Sequence, residues 1–219
     1  MFPTYSAGQI AGYILSIADP EDSELSNLKL QTLCYYAQGL CTAMRGAPLF
    51  AEPIEAWNDG PVVPALYHRY KQHGSQPIPV IADFNLRQLA VPDRGAITDI
   101  YDFYARFSAS RLQDMTHREA PWLEAYNSAD TIITIDSLVD HFAGQIDLDY
   151  VRKLYVEGTA SKKRKAPGKR KYPPWHRPAA DKLPVMDAAA TVQPAVEAVE
   201  NRAVVAQGKP TPSHPVENR

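Results

Sequence analysis

From Ser26 to Gly46 the apolar residues Leu30, Leu33, Ala37, Leu40 and Met44 return at steps of three and four. That period belongs to an α-helix with one apolar stripe. Ser26 is placed to cap its first turn, and Gly46 followed by Pro48 ends it. Helices take most of their stability from packing, so the rest of the chain has to cover this stripe. No disulfide assists: the two cysteines, Cys34 and Cys41, lie two helical turns apart in the same segment, too far to bridge. Their spacing is neither CxxC nor a Cys/His zinc pattern, so they read as buried thiols of a reducing compartment.

The covering elements follow in order. Ser6 and Gln9 form a capping-box pattern ahead of Ile10, Tyr13, Ile14 and Ile17, which run until Asp19-Pro20. Between Leu49 and Val63 the residues Pro53, Gly60, Pro61 and Pro64 forbid a long helix, and Pro53 to Trp57 reads as a short extended segment before a turn. Helical spacing resumes at Leu66, Tyr67 and Tyr70, again around Leu86 and Leu89, and again at Ile97, Ile100, Tyr101 and Tyr104. Ser108 caps a short helix with Leu112 and Met115, Pro121 opens another through Tyr126, Thr131 to Ile133 is a short strand, and Asp136–Phe142 and Asp149–Leu154 close the domain. The tyrosines at 13, 35, 36, 70, 101, 104 and 126 fall on or near apolar stripes and read as core.

Beyond Gly158 the pattern stops. Lys162, Lys163, Arg164 and Lys165, then Lys169, Arg170 and Lys171, precede Pro-rich and Ala/Val/Glu segments without a sustained apolar period. Ordering such a stretch costs ~1–2 kcal/mol per residue with little burial to offset it, so disorder is expected. The fold class is therefore mainly α with a minor short β element: one compact helical domain over residues 1–157, followed by a disordered basic, Pro- and Ala-rich tail over 158–219. With 45% hydrophobic residues the domain can build a core, and a net charge of −2 supplies no overall attraction to nucleic acid or membrane. The N-terminus lacks a basic and apolar leader and no segment has membrane-spanning length, so a cytoplasmic location is expected.

Three places carry side chains suited to binding or chemistry. The loop Trp57-Asn58-Asp59-Gly60-Pro61 to Tyr67 is stiffened by prolines and carries the aromatic types favoured at binding hot spots; the alternative is that Trp57 and Tyr67 pack under the loop and hold it shut. His117 and Glu119, ahead of Pro121-Trp122, put an imidazole near a carboxylate, but His117 has no second histidine four residues away and no nucleophile-elbow serine or cysteine accompanies it. Backbone hydrogen bonds around the turn are the expected role of both. The cations from Lys162 to Lys171 with Tyr172 and Trp175 suit salt-dependent, non-specific nucleic-acid binding, against the alternative of a solvated run. No catalytic set, metal site or cofactor motif stands out.

The segments Leu28-Lys29-Leu30-Gln31-Thr32-Leu33-Cys34-Tyr35-Tyr36-Ala37-Gln38-Gly39, Pro48-Leu49-Phe50 with Glu55-Ala56-Trp57, Gly60-Pro61-Val62-Val63-Pro64 with Leu66-Tyr67 and Tyr70, and Thr116-His117-Arg118-Glu119 with Pro121-Trp122 resemble, in order, those of the Panacea family. That family includes SocA-like and phage-associated GepA-type antitoxins. Thr32 stands where relatives commonly carry lysine and Ala120 where they commonly carry glycine. The resemblance covers residues from about 5 to 155 and implies a bacterial antitoxin: a mostly helical domain that neutralises a protein toxin, encoded by an adjacent gene, by direct binding. In some members the toxin is also delivered to a Clp-type protease. The expected contact residues are Trp57, Asn58, Asp59, Tyr67, Tyr70, His117, Glu119 and Trp122, with no catalytic activity of the chain's own. Two other functions fit the residues: a nucleic-acid-associated regulator using Lys162, Lys163, Arg164, Lys165, Lys169, Arg170 and Lys171, and a hydrolase using His117 and Glu119.

Overall fold

A computed structural model describes residues 2–19, 25–158 and 172–176. Its centre is the helix that the apolar period marks, α2 (Asn27–Arg45), capped by Ser26 and ended by Gly46 in the left-handed conformation at φ 67°. Around it lie α1 (Ala7–Ile17), α3 (Pro64–Tyr70), α4 (Val91–Tyr104), α5 (Ala109–Thr116), α6 (Ala120–Tyr126), α7 (Ile135–Ala143) and a short α8 (Leu148–Val151) that runs into a π turn, Arg152–Val156. The expected capping box is present: Ser6 Oγ accepts from Gln9 N at 3.2 Å, and Gln9 Oε1 accepts from Ser6 N at 2.9 Å. Ser108 caps α5 by a single bond, its Oγ accepting from Arg111 N at 3.2 Å.

The minor β element is a three-stranded antiparallel sheet in the order β2-β1-β3, made of β1 (Ile54–Trp57), β2 (Gly60–Val62) and β3 (Ile132–Ile133). Gly60 ends the β1–β2 turn at φ 118°, a region open to glycine and strained for other residues. The helix expected around Leu86 and Leu89 is a single 3₁₀ turn, Leu86–Gln88. Asn85 Oδ1 accepts from Arg87 N at 3.0 Å to form it, and an extended Ala90 then breaks the chain so that Pro92 can enter the first turn of α4.

α2 is enclosed on almost its whole circumference rather than along one stripe. Lys29, Gln31, Thr32, Gln38, Thr42 and Arg45 are as buried as the leucines between them. Buried polar groups need partners, and loops supply them. Gln38 holds Phe50 from both sides, with Phe50 N donating to its Oε1 at 2.9 Å and its Nε2 donating to Phe50 O at 3.0 Å. Gln31 Oε1 accepts from Val63 N at 2.9 Å, and Gln31 Nε2 donates to Asn27 Oδ1 at 3.0 Å. The glutamines therefore anchor the loops on either side of the hairpin to the central helix. Cys34 and Cys41 are buried free thiols, and burial raises both pKa values.

α7 crosses α2 at Gly39, where a Cβ would lie 2.3 Å from Cε2 of Phe142, itself 1% exposed. The missing side chain lets the two helices meet. Gly39→Ala gains up to ~1 kcal/mol of helix propensity, but overpacking against a fixed ring costs ~1–3 kcal/mol. Net destabilisation is expected in urea unfolding, and most of it should be relieved by adding Phe142→Leu. A neutral or stabilised Gly39→Ala variant would contradict this close approach.

Residues 172–176 depart from the expectation of an unpacked tail. Trp175 is 2% exposed, its ring edge-on to Phe103 and stacked near Tyr104, and its carbonyl accepts from Asp147 N at 2.7 Å. The cations Lys162, Lys163, Arg164, Lys165, Lys169, Arg170 and Lys171 lie outside the described residues. Among the described residues no helix is long and apolar enough to cross a membrane.

Candidate functional site

The loop and turn segments that stood apart in sequence meet on one face. Trp122 enters from the start of α6, 6% exposed, and its Nε1 donates to Trp57 O at 3.1 Å. His117, at the end of α5, stacks on Trp122 at 4.0 Å between centroids, and Trp122 stacks on Tyr126 at 4.5 Å. Tyr126 closes the circuit by donating to Asn58 Oδ1 at 2.7 Å. A three-ring stack is thus tied at two points to the β1–β2 turn, whose Asn58 and Asp59 project into solvent.

Trp57 and Tyr67 lie beside this stack, both half-buried, with ring centroids 5.0 Å apart in an edge arrangement. Trp57 Nε1 donates to Glu55 Oε2 at 2.7 Å. The rings support the loop and still present surface, so the two readings of this loop are both partly realised. Tyr70 does not join the face: one helical turn beyond Tyr67, it is 7% exposed and belongs to the core. Tyr126, read as core from its spacing, is 37% exposed and does join it. Its identity as surface depends on how α6 rolls on the sheet, which spacing alone does not reveal.

His117 and Glu119 go to different places. Burial holds the His117 imidazole below its ordinary pKa, opposed by the carboxylates of Asp114 and Asp59 and by a hydrogen bond with the Asn58 backbone. His117 thus differs from the expected role, backbone hydrogen bonding around its own turn, since Asn58 belongs to the β1–β2 turn. Glu119 departs from that role as well: its side chain turns inward, where Tyr35 and Tyr36 donate to its two oxygens at 2.7 and 2.9 Å. His141 Nε2 of α7, missed in sequence for want of any local motif, lies 3.9 Å from Glu119 Oε2. Desolvation pushes the Glu119 carboxyl up to about 7 against the two phenol hydrogen bonds, and burial lowers His141. Tyr104 stacks on Tyr36 at 3.8 Å behind them.

Outside this cluster, between α6 and α7, opens a cleft of about 540 Å³ lined by Ala120, Glu124, Thr134, Asp136, Ser137, Asp140 and His141. Among the described residues no group of three or more His, Cys, Asp or Glu side chains is arranged to hold a metal ion.

The family described as antitoxin SocA-like, Panacea domain, matches residues 30–123, a span that takes in most of α2, the hairpin and the start of α6. The antitoxin SocA of Caulobacter vibrioides (strain NA1000 / CB15N) is 32% identical over 127 residues, which cover 53% of this chain and 68% of that protein. The chain belongs to the SocA-like Panacea family. No solved structure matches it.

Several residues that carry the family resemblance now have physical roles in this Panacea domain. Gln31 and Gln38 satisfy loop backbone, Tyr35 and Tyr36 hold Glu119, Gly39 admits Phe142, and Trp122 ties α6 to the hairpin. Thr32 is fully buried and donates to the Leu28 carbonyl at 3.2 Å. These are scaffold roles. The exposed polar groups on this face, Asn58 and Asp59 of the turn, lie between the matching segments that end at Trp57 and resume at Gly60.

Proposed function

We propose that this Panacea domain is an antitoxin that neutralises a protein toxin by direct binding, using the face formed by Trp57, Asn58, Asp59, Tyr67, His117, Trp122 and Tyr126. The carrying observation is the joining of two distant segments by the Trp122–Trp57 and Tyr126–Asn58 hydrogen bonds into one aromatic surface. A surface already held in place loses little side-chain freedom on docking, and aromatic residues are the common anchors of such contacts. Mass action then suffices: a domain that binds the toxin removes it from its targets and needs no catalysis of its own. Delivery of the bound toxin to a Clp-type protease is a narrower form of the same proposal, supported by family membership.

The test is co-expression with the product of the adjacent gene. Growth inhibition by that product alone, with rescue and co-purification when this chain is present, is the expected result. Asp59→Lys reverses a solvent-exposed charge, and Tyr126→Ala removes a part-exposed ring with its stacking on Trp122 and its hydrogen bond to Asn58; together they should weaken the complex at least tenfold, about 1.4 kcal/mol, while the domain keeps its circular dichroism spectrum. Toxicity without rescue or complex overturns the antitoxin reading, and an unweakened complex moves the contact off this face. A truncation that probes the remaining tail belongs after Pro178, since a cut at 157 also removes the buried Trp175.

A further inference from the structure

Among the described residues Trp175 heads the largest fully buried side chains, yet in the five-residue stretch Tyr172–His176 it is the one buried residue, and Tyr172 is 47% exposed. Its seat lies between α4 and the α7–α8 connection. The indole meets Phe103 edge-on at 5.9 Å and lies near-parallel to Tyr104 at 6.4 Å and 26°. The main chain pairs as well: Asp147 N donates to Trp175 O at 2.7 Å, and His176 forms an antiparallel bridge with Ile146. Pro173 O accepts from His176 N at 3.1 Å, so Pro173-Pro174-Trp175-His176 is a turn already stiffened by its prolines.

One aromatic anchor in an aromatic seat, main-chain pairing beside it and a preformed turn are the elements by which folded domains recognise short peptides. The core behind the seat is formed by other residues. Tyr104 is held on its far side by Tyr36 at 3.8 Å, and Phe142 packs against Tyr35 and Tyr36. We infer that this groove is a peptide-recognition site for a proline-stiffened turn bearing tryptophan, filled in cis by Tyr172–His176, which excludes partner segments of the same chemistry. The inference stands apart from the toxin-binding face. A short tether gives its own segment an effective concentration on the order of mM, so a groove with a dissociation constant of about 10–100 μM would be filled in cis almost throughout.

The test empties the seat in the full chain by Trp175→Ala and measures fluorescence anisotropy of a labelled peptide with the sequence of Tyr172–His176. Binding to the variant at about 10–100 μM, with binding to the wild type at least tenfold weaker, is expected. A peptide carrying alanine for tryptophan should bind neither. Equal affinity for both proteins, or none for a variant that still unfolds cooperatively, overturns the inference. Should Trp175→Ala fail to fold, a protease site placed within 159–171 of the otherwise wild-type chain gives the second measurement. After cutting, the expected result is release of the C-terminal fragment on dilution from a domain that keeps its cooperative unfolding, with rebinding when the fragment is added back. Collapse of the cut domain would make Trp175 an integral core residue. Concentration-dependent dimers of the uncut wild type in light scattering would replace the cis occupant by a second copy. Either result overturns the assignment.

Discussion

Asp93→Ala is expected to lower the unfolding free energy by about 3–5 kcal/mol, the usual cost of leaving one partner of a buried ion pair alone. Asp93 Oδ2 lies 3.3 Å from Arg45 Nη1, and the side chains are 1% and 0% exposed. Tyr5 and Tyr155 donate to the two carboxylate oxygens at 2.7 and 3.1 Å. The guanidinium also donates to the Pro3 carbonyl and sits 5.1 Å over the Phe2 ring. Burial, together with the adjacent carboxylate, pushes the Tyr5 phenol up to about 12 and Tyr155 higher still, so both remain donors at any working pH. One carboxylate therefore ties the N-terminal segment, the end of α2, the start of α4 and the C-terminal π turn. Urea unfolding with intrinsic fluorescence checks the size of the loss. Arg45→Met with Asp93→Leu should cost less than the sum of the single changes, because no unpaired charge is left inside. A loss under about 1 kcal/mol for Asp93→Ala would show that the pair is not buried as described.

Glu119→Gln is expected to become stabilising as pH rises. In the folded protein the Glu119 carboxyl is pushed up to about 7 from its ordinary 4.5, chiefly by desolvation, and its side chain is 16% exposed. A carboxyl raised on folding binds protons more tightly in the native state. Its contribution is fully present below about pH 4.5 and is lost as pH rises through about 7. Above that range the wild type holds a buried carboxylate at a full cost of about 3–4 kcal/mol, from ~1.4 kcal/mol per pKa unit. Glutamine abolishes the titration and keeps an acceptor for Tyr35 or Tyr36. The variant-minus-wild-type stability should therefore climb by about 2–3 kcal/mol between pH 5 and pH 8. His117 and His141 have their pKa values lowered by burial, which like the rise at Glu119 favours the neutral form, so the wild-type pH profile is a composite and the difference between the two proteins reports chiefly on Glu119. A pH-independent difference, measured by urea unfolding at four pH values, would place Glu119 in contact with water.

The segments of the candidate site were readable because each is compact in sequence, and the four together in order pointed to the family. Their division into scaffold and surface was not. Tyr70 and Tyr126 sit at similar helical spacings, yet one faces the core and the other solvent. Glu119 lies two residues from His117, and its partners come from α2 and α7. His141 carried no signal, since a single histidine on a short amphipathic helix has no motif to distinguish it. Trp175 followed a basic run that locally resembles unstructured chain, and its anchoring depends on Phe103 and Tyr104, about seventy residues earlier.

By itself the sequence determined the helix limits at Ser6, Ser26, Gly46 and Ser108, the short β segments within 53–57 and 131–133, the mainly α class and the family. These features rest on hydrogen bonds and apolar periods spanning about four residues, which a linear pattern contains. Only the tertiary structure decided that α2 is buried all round, that its glutamines, tyrosines and arginine reach loops and carboxylates elsewhere, and that Trp175 returns to the domain. A polar side chain on a helix reads as solvent-facing until the partner that satisfies it is brought from a loop or helix 12 to 84 residues away. That partner is chosen by packing in three dimensions, and no local period records it.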